Sequence, residues 1–535
     1  FLPVGFMEGN TGRLFRELSV ALAAAVAISA FVALTLTPMM SSKLVRPHTE
    51  PRGLNAWTNR ILNRVSTGYG RQVERLVVLS GRRILGMVLL AMALCGVAIV
   101  ALGLRVPSEL APAEDRGRFF VMVDGPEGAG FDYMVGQMQQ VEKIVLAQVG
   151  KDKPVDRANS RTPRGFGGSE DMHTGQVIVF LHDWHERDVA TDDVVKQLRS
   201  EFAKLPGVQA RANVPGGLVG SRGQRYQLVL GGPDYAELAQ WRDRILQRME
   251  SNPGIQDPDS DYKETRPQMR VNIDRDRAAD LGVSVQEIGR TLETMMGSRQ
   301  VTTYVDSGEE YDVMLQAGRE QRANPEDLAN TYVRGRDDAL IPLSNLVMLS
   351  EIAEPGTFNR FNRLRAITIS AGLAPGYSMG EALEWTRQVV DEELPDYAQI
   401  DWKGESREYQ EAGGAILLTF TLALLIVYLV LAAQFESFIH PLVIMLTVPL
   451  AVLGALIGLW VTGGTLNLFS QIGIVMLIGL AAKNGILIVE FANQLRDDGA
   501  SVAQAIAESA RVRLRPILMT SVATVVGAVP LVLAG

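Results

Sequence analysis

The chain has 535 residues, 47% hydrophobic and 21% charged, with a mean hydropathy of +0.09 and a net charge of −8. Its one cysteine, Cys95, excludes a disulfide within the chain, and the acidic balance gives no support to nucleic-acid binding. These averages conceal two populations, because the apolar residues are gathered into blocks.

Six nearly continuous apolar stretches are each about 19–25 residues long, enough to carry a helix across roughly 30 Å of hydrocarbon. The first, Leu18–Pro38, follows a leading segment, 1–17, expected at the outer end of that span. Residues 39–83 are expected as a basic loop with an amphipathic helix. They hold Lys43, Arg46, Arg52, Arg60, Arg64, Arg71, Arg75, Arg82 and Arg83 against only Glu50 and Glu74. The positive-inside rule makes this connection cytoplasmic. The second stretch is Ile84–Leu104, and a long polar block, 105–412, follows it. Between Arg105 and Glu411 lie 36 Lys+Arg and 51 Asp+Glu, a net of −15. Counting spans puts this block outside, and its length suffices for two or more globular units.

Short strand-like runs alternate with helical patterns through the outer block. The strands are Arg118–Asp124, Gln176–Leu181, Tyr226–Leu230, Met269–Ile273 and Ala366–Ser370. The helices that follow them are Phe131–Val149, Ala190–Leu205, Asp234–Glu250, Val283–Met296 and Met379–Glu393. Ser284 and Glu287 have the spacing of a capping box. This alternation predicts α+β sandwiches of the ferredoxin-like split βαβ kind, inserted in a membrane α-helical bundle. Gly-rich loops occur at Arg161–Gly168 and Pro215–Gly223. Beyond the block lie spans at Gly413–Ala433, Pro441–Val461 and Leu468–Ala492, a cytoplasmic loop at 493–515 with four arginines, and a last span from Pro516 to the end at 535. The start on Phe1 and the stop inside an apolar segment lead us to expect a piece of a longer protein. The sequence has no Walker A pattern, no zinc spacing and no nucleophile–histidine constellation, so neither an enzyme nor an ATP-driven machine is expected, and no metal ligand is named.

Within the spans only Lys483 and Glu490 are charged. Lys483 lies nine residues before Ala492, about 14 Å along a helix, too far to reach water at that end. Such a cation must pair or line a wet cavity, and it reads either as a proton- or ion-coupling group or as half of a static helix–helix pair. Glu490 sits near the cytoplasmic end and reads as a solvated glutamate.

The run GLAAKNGILIVEFA at 479–492 and RVRLRPILMTS at 511–521 resemble the resistance-nodulation-division (RND) efflux transporters, in particular the hydrophobe/amphiphile branch. SELAPAEDRG at 108–117, NIDRDRAADLGVS at 272–284 and AAQFESFIHPLVIMLTVPLAVLGAL at 432–456 agree, and the resemblance covers the whole chain. It implies a proton-driven multidrug antiporter of the Gram-negative inner membrane, with twelve spans, two periplasmic insertions and a homotrimeric assembly. This chain matches the second half and the last span of the first. The implied partners are small amphiphilic substrates, a periplasmic membrane-fusion adaptor, an outer-membrane channel and the lipid bilayer, and no cofactor is implied beyond the proton gradient. The family's relay pairs two aspartates, outside this sequence, with groups that match Lys483, Arg513 and Thr520, and Asn484 is a further relay candidate as a polar group toward which the lysine would swing. Arg513 reads equally as one more positive-inside arginine, and Thr520 as a helix-packing threonine. The loop Arg161–His173 resembles the loop between two drug pockets, which makes Phe166 with Ile178 and Phe180 in the next strand the substrate-pocket candidates. A heavy-metal or lipid exporter on the same scaffold, or a non-exporting sterol-sensing or protein-export accessory, remains as the alternative.

Overall fold

The computed structural model describes residues 5, 9–44, 54–112, 115–165, 171–215 and 224–533. Among the described residues, α1 (Gly9–Leu44), α2 (Leu54–Val77) and α3 (Gly81–Gly103) precede the first strand. Two α+β units then follow, expected from the sequence on the outer side and called outer units for that reason, and the chain closes with a group of long apolar helices.

The first unit runs β1 (Arg118–Asp124), α4 (Phe131–Leu146), β2 (Val155–Arg161), β3 (Thr174–Leu181), α5 (Thr191–Phe202) and β4 (Gln209–Asn213). Its sheet has the order β2-β3-β1-β4, with every neighbouring pair antiparallel. Alternation in RFFVMVD sends Phe119, Val121 and Val123 into the core, all fully buried, where they meet Met134, Val141 and Leu198 from the two helices.

The second unit begins with β5 (Tyr226–Gly232), α6 (Tyr235–Glu250) and β6 (Ile255–Ser260). An excursion follows before the unit is completed. It contains β7 (Arg266–Ile273), α7 (Arg275–Asp280), α8 (Val285–Leu292), β8 (Arg299–Asp306), β9 (Glu309–Leu315), α9 (Pro325–Ala329), β10 (Tyr332–Arg334), β11 (Leu340–Pro342) and β12 (Val347–Glu354), whereas the short β13 (Arg360–Phe361) after it already belongs to the sheet of the second unit. The unit then resumes with β14 (Leu364–Leu373), α10 (Met379–Glu393) and β15 (Gln399–Trp402). Along its sheet the order is β6-β14-β5-β15, the same connection order as in the first unit. The strand expected at Met269–Ile273 is therefore no part of the repeat. As β7 it pairs only with β12, in a smaller body with its own core of Val283, Ile288, Leu343 and Leu346. The hairpin β8–β9 turns at Ser307 and Gly308, both at positive φ, as a tight turn between right-twisted strands requires. Ser284 accepts from the Glu287 amide and starts α8, which ends early, at Leu292, in a π turn.

The last part comprises α11 (Gly404–Phe435), α12 (Ile439–Met445), α13 (Val448–Thr462), α14 (Leu468–Asp497) and α15 (Val502–Leu533). Among the described residues six helices are long and apolar enough to cross a membrane, counting α12 and α13 as one. Three boundaries differ from expectation. α11 starts nine residues before Gly413, inside the outer unit, where Glu405 and Ser406 are buried, so one unbroken helix links unit and bundle. The span 441–461 is divided just before Pro449, which lacks an amide to continue the ladder. The segment 493–515 is not a loop. α14 extends to Asp497 and α15 starts at Val502, because the alanine-rich run from Ala503 to Ala510 is strongly helix-forming and buries Ala505 and Ser509 despite the charges around them.

Candidate functional site

The helix that carries Lys483 is fixed at its start by a reciprocal cap. Asn467 accepts from the Ser470 amide, and the Ser470 hydroxyl accepts from the Asn467 amide. The Leu466 and Leu468 amides bond to the Pro107 and Leu110 carbonyls, and Thr465 donates to Glu109 at 2.7 Å. The start of α14 is thereby tied to the segment leading from α3 into the first outer unit.

From that anchor α14 buries Leu468, Ile472, Val475, Ile478 and Ala482 on one stripe, with Phe15 and Ala423 against its first turns and Leu431 and Ile444 against Ala482. Gly485 packs closely here, since a Cβ would sit 3.1 Å from the Ile444 side chain. Lys483 is one residue off the packed stripe. It is exposed on this chain and makes no ion pair with any described residue. Asn484 is half-buried beside it, and Glu490 is exposed and accepts from Gln494.

α15 folds back along α14. The fully buried Ser509 donates to the Ile488 carbonyl at 2.6 Å, which sets the register of the pair. In two antiparallel helices of equal rise, that contact puts the Cα of Arg513 level with that of Asn484, and Thr520 about 10 Å further along, level with Leu477. The Arg513 guanidinium lies 4.4 Å from the centre of the Phe491 ring, and its shielded Nε finds no acceptor among the described residues. Thr520 donates to the Ile517 carbonyl of its own helix at 3.1 Å. The register thus puts the Cα atoms of Lys483, Asn484 and Arg513 near one level, with the Arg513 guanidinium turned toward Phe491, and leaves Thr520 about two turns beyond them.

On the outer side, Ile178 and Phe180 share the face of β3 that points away from the core residues Val177 and Val179. Both are half-buried. The Arg157 guanidinium lies 4.8 Å over the Phe180 ring. Phe180 also borders a polar cleft with Asp115, Asp156, His182, Trp184 and Arg187. Phe166 and the greater part of the second Gly-rich loop lie outside the described residues.

Two polar clusters escaped sequence reasoning because their members are far apart in the chain. Arg225 bonds Glu405 at 2.8 Å and approaches Glu109 at 3.9 Å, with the Glu405 side chain 1% exposed. Burial disfavours the Arg225 cation, but Glu405 and Glu109 hold its pKa above the ordinary value. This group joins β5, the first turn of α11 and the segment bound to α14. The second cluster centres on Asp115, which accepts from the Thr191 amide and hydroxyl, the Gly117 amide and Arg187. Burial pushes this carboxyl up, yet Arg187 and Thr191 together bring it well below the usual carboxylate range.

Residues 1–535 match the AcrB/AcrD/AcrF family. An uncharacterized transporter of Haemophilus influenzae is 34% identical over 548 residues, covering 100% of this chain and 51% of that relative. The toluene efflux pump membrane transporter TtgB of Pseudomonas putida is 31% identical over 546 residues, again 100% of this chain and 51% of the relative. The multidrug resistance protein MdtC of Pectobacterium carotovorum is 32% identical over 541 residues, with the same shares. The chain therefore spans about half the length of the curated relatives it matches. A match along its whole length, to relatives that include multidrug and solvent efflux transporters, means that the chain belongs to the AcrB/AcrD/AcrF family of RND transporters.

Proposed function

We propose that this chain forms part of a proton-motive-force-driven exporter of hydrophobic and amphiphilic compounds, working as a drug:proton antiporter. The observation that carries the reading is Lys483, a cation halfway along a membrane-length helix, off the packed stripe and without an ion pair among the described residues. A charge so placed is costly unless a counter-charge approaches it, about 2.5–3.5 kcal/mol on insertion scales. A carboxylate supplied from outside this chain meets that need. When it takes a proton the cation loses its anion, and the balance between two helix arrangements changes. Asn484 and Arg513, level with Lys483, are the groups to receive or screen the released lysine, and Thr520 lies further along the same path.

In this reading the two outer units are ferredoxin-like βαβ subdomains, supported by their common strand order. They face the periplasm of a Gram-negative cell, and the basic connection between α1 and α3 faces the cytoplasm. Ile178 and Phe180, with Phe166, contribute to the substrate path. The assembly is a homotrimer joined to a periplasmic adaptor and an outer-membrane channel. The pump is tested by Lys483→Ala in the full-length protein, scored by efflux of a fluorescent amphiphile from energised cells. Efflux at the level of cells lacking the pump, with normal expression and insertion, is the expected result, and undiminished efflux contradicts the assignment.

A further inference from the structure

In the first outer unit both helices pack on the side of the sheet that carries Phe119, Val121, Val177 and Val179. Cross-strand register sorts the other side into rows. Arg118, Phe180 and Arg157 form the first row, Phe120 and Ile178 stand in the second, and Met122, Gln176, Arg161 and Arg211 form the third. Alternate residues on a strand are about 7 Å apart, so Phe180, Ile178, Phe120 and Met122 make an apolar strip about 14 Å long with arginines at both ends. Four arginines against one carboxylate, Asp124, run counter to the net of −15 carried by the whole outer block.

The two ends differ. In the third row Arg161 donates to Gln176 at 2.5 Å, and Arg211 pairs with Asp259 at 2.8 Å. In the first row Arg118 is exposed and makes no ion pair with any described residue. Arg157 pairs with Asp156 at 3.0 Å, but their side chains are 70% and 42% exposed, and such a pair is weak. The guanidinium of Arg157 stands over Phe180, at the end of the strip.

We propose that this face takes anionic amphiphiles, carboxylates or sulfonates on an apolar body, with Arg118 and Arg157 receiving the head and the strip the body. The inference rests on the exporter reading above and narrows its substrate class. An apolar strip alone accepts an amphiphile of either sign. Here a cationic head would meet two arginines about 10 Å apart across two strand spacings, whereas an anionic head is drawn to both. Past Phe180 the face meets the polar cleft, about 490 Å³ in volume, which keeps the head hydrated while the body is covered. Four half-buried apolar side chains suit a small molecule better than a protein footprint of about 800 Å².

The test follows efflux of three fluorescent homologues from energised cells that carry the full-length protein. They are dansylaminoundecanoate, its carboxamide and the analogue ending in trimethylammonium. Each variant is scored against the unmodified protein, compound by compound, which cancels differences in loading. Arg118→Gln and Arg157→Gln should each lower carboxylate efflux at limiting concentration about threefold, and together about tenfold, while carboxamide efflux changes by less than about twofold. The double lysine variant should bring the carboxylate back to within about twofold of the unmodified protein, since charge rather than shape selects the head. Without any variant, decanesulfonate should slow carboxylate efflux more than decyltrimethylammonium at the same concentration. Carboxylate efflux unmoved by the double glutamine variant, an equal loss for all three homologues, as a protein segment covering the face would give, or stronger competition by the ammonium compound overturns the proposal and leaves the exporter reading standing. Export of none of the three by the unmodified protein overturns both.

Discussion

Asp115 shows how much one carboxylate contributes to the passage from α3 to the first α+β unit. It sits a dozen residues past the end of α3 and caps the amide and hydroxyl of Thr191, at the start of α5, while it pairs with Arg187. Its folded pKa is depressed from the ordinary 3.8, so the stabilisation it brings is present above that value and is lost as the pH falls below it. We expect Asp115→Asn to lower the thermal midpoint of the full-length protein at neutral pH. The gap from the parent protein should narrow as the pH is lowered from about 5 toward 2, because the carboxyl of the unfolded chain takes up a proton over that range while the folded one stays charged. A gap independent of pH would mean that shape rather than charge is responsible. Asp115→Ala removes the acceptor as well and should add about 1–2 kcal/mol to the deficit of the asparagine variant, an increment that does not change with pH. Nothing in SELAPAEDRG marks Asp115 as the capping acid, since Arg187 and Thr191 lie more than 70 residues away.

At the scale of elements, the contact of α10 with the first turns of α11 decides how the second outer unit is mounted. A Cβ on Gly380 would stand 2.7 Å from the Tyr409 hydroxyl, which is held by Ser108 at 2.9 Å, and the Gly380 amide donates to the Ser108 carbonyl at 3.2 Å. Gly380→Ala should therefore destabilise the junction by about 1–2 kcal/mol, by displacing Tyr409 and breaking its hydrogen bond. Adding Tyr409→Phe, which removes only the hydroxyl in the way, should recover part of that loss, and strictly additive effects would refute the contact. The apolar runs that became β1, β3, β5 and β14 were legible because these strands lie inside their sheets and carry the core residues. The edge strands VDRANSR, QARAN, IQDPDS and QIDW were not, since an edge strand holds its place by backbone pairing and turns polar side chains to water. The candidate site divides the same way. Lys483 stands out in any apolar run, whereas Arg513 became its neighbour in level only through Ser509 and Ile488.

For the whole molecule, the shared strand order makes the body between β6 and β14 an insertion into a complete unit rather than a third repeat. It leaves and returns through one antiparallel pair, Arg266 opposite Glu354, where facing Cα atoms are about 5 Å apart. Its core residues are its own, and its ties to the first unit include the ion pairs Arg319–Asp132 and Arg266–Asp171, which face solvent and contribute little. The second unit meanwhile keeps its seal beside the exit, where Tyr262 stacks on Tyr235 and Phe358 meets both rings. Removing Arg266–Glu354 from the full-length protein and closing the gap with Asn-Gly should therefore leave the remaining units folded. Size-exclusion should give a single species, and Trp241 and Trp402, buried in the second unit, should keep their emission. If β5, β14 and β15 instead become open to protease, the inserted body is holding the second unit together, and the division into a complete unit and an insertion is wrong.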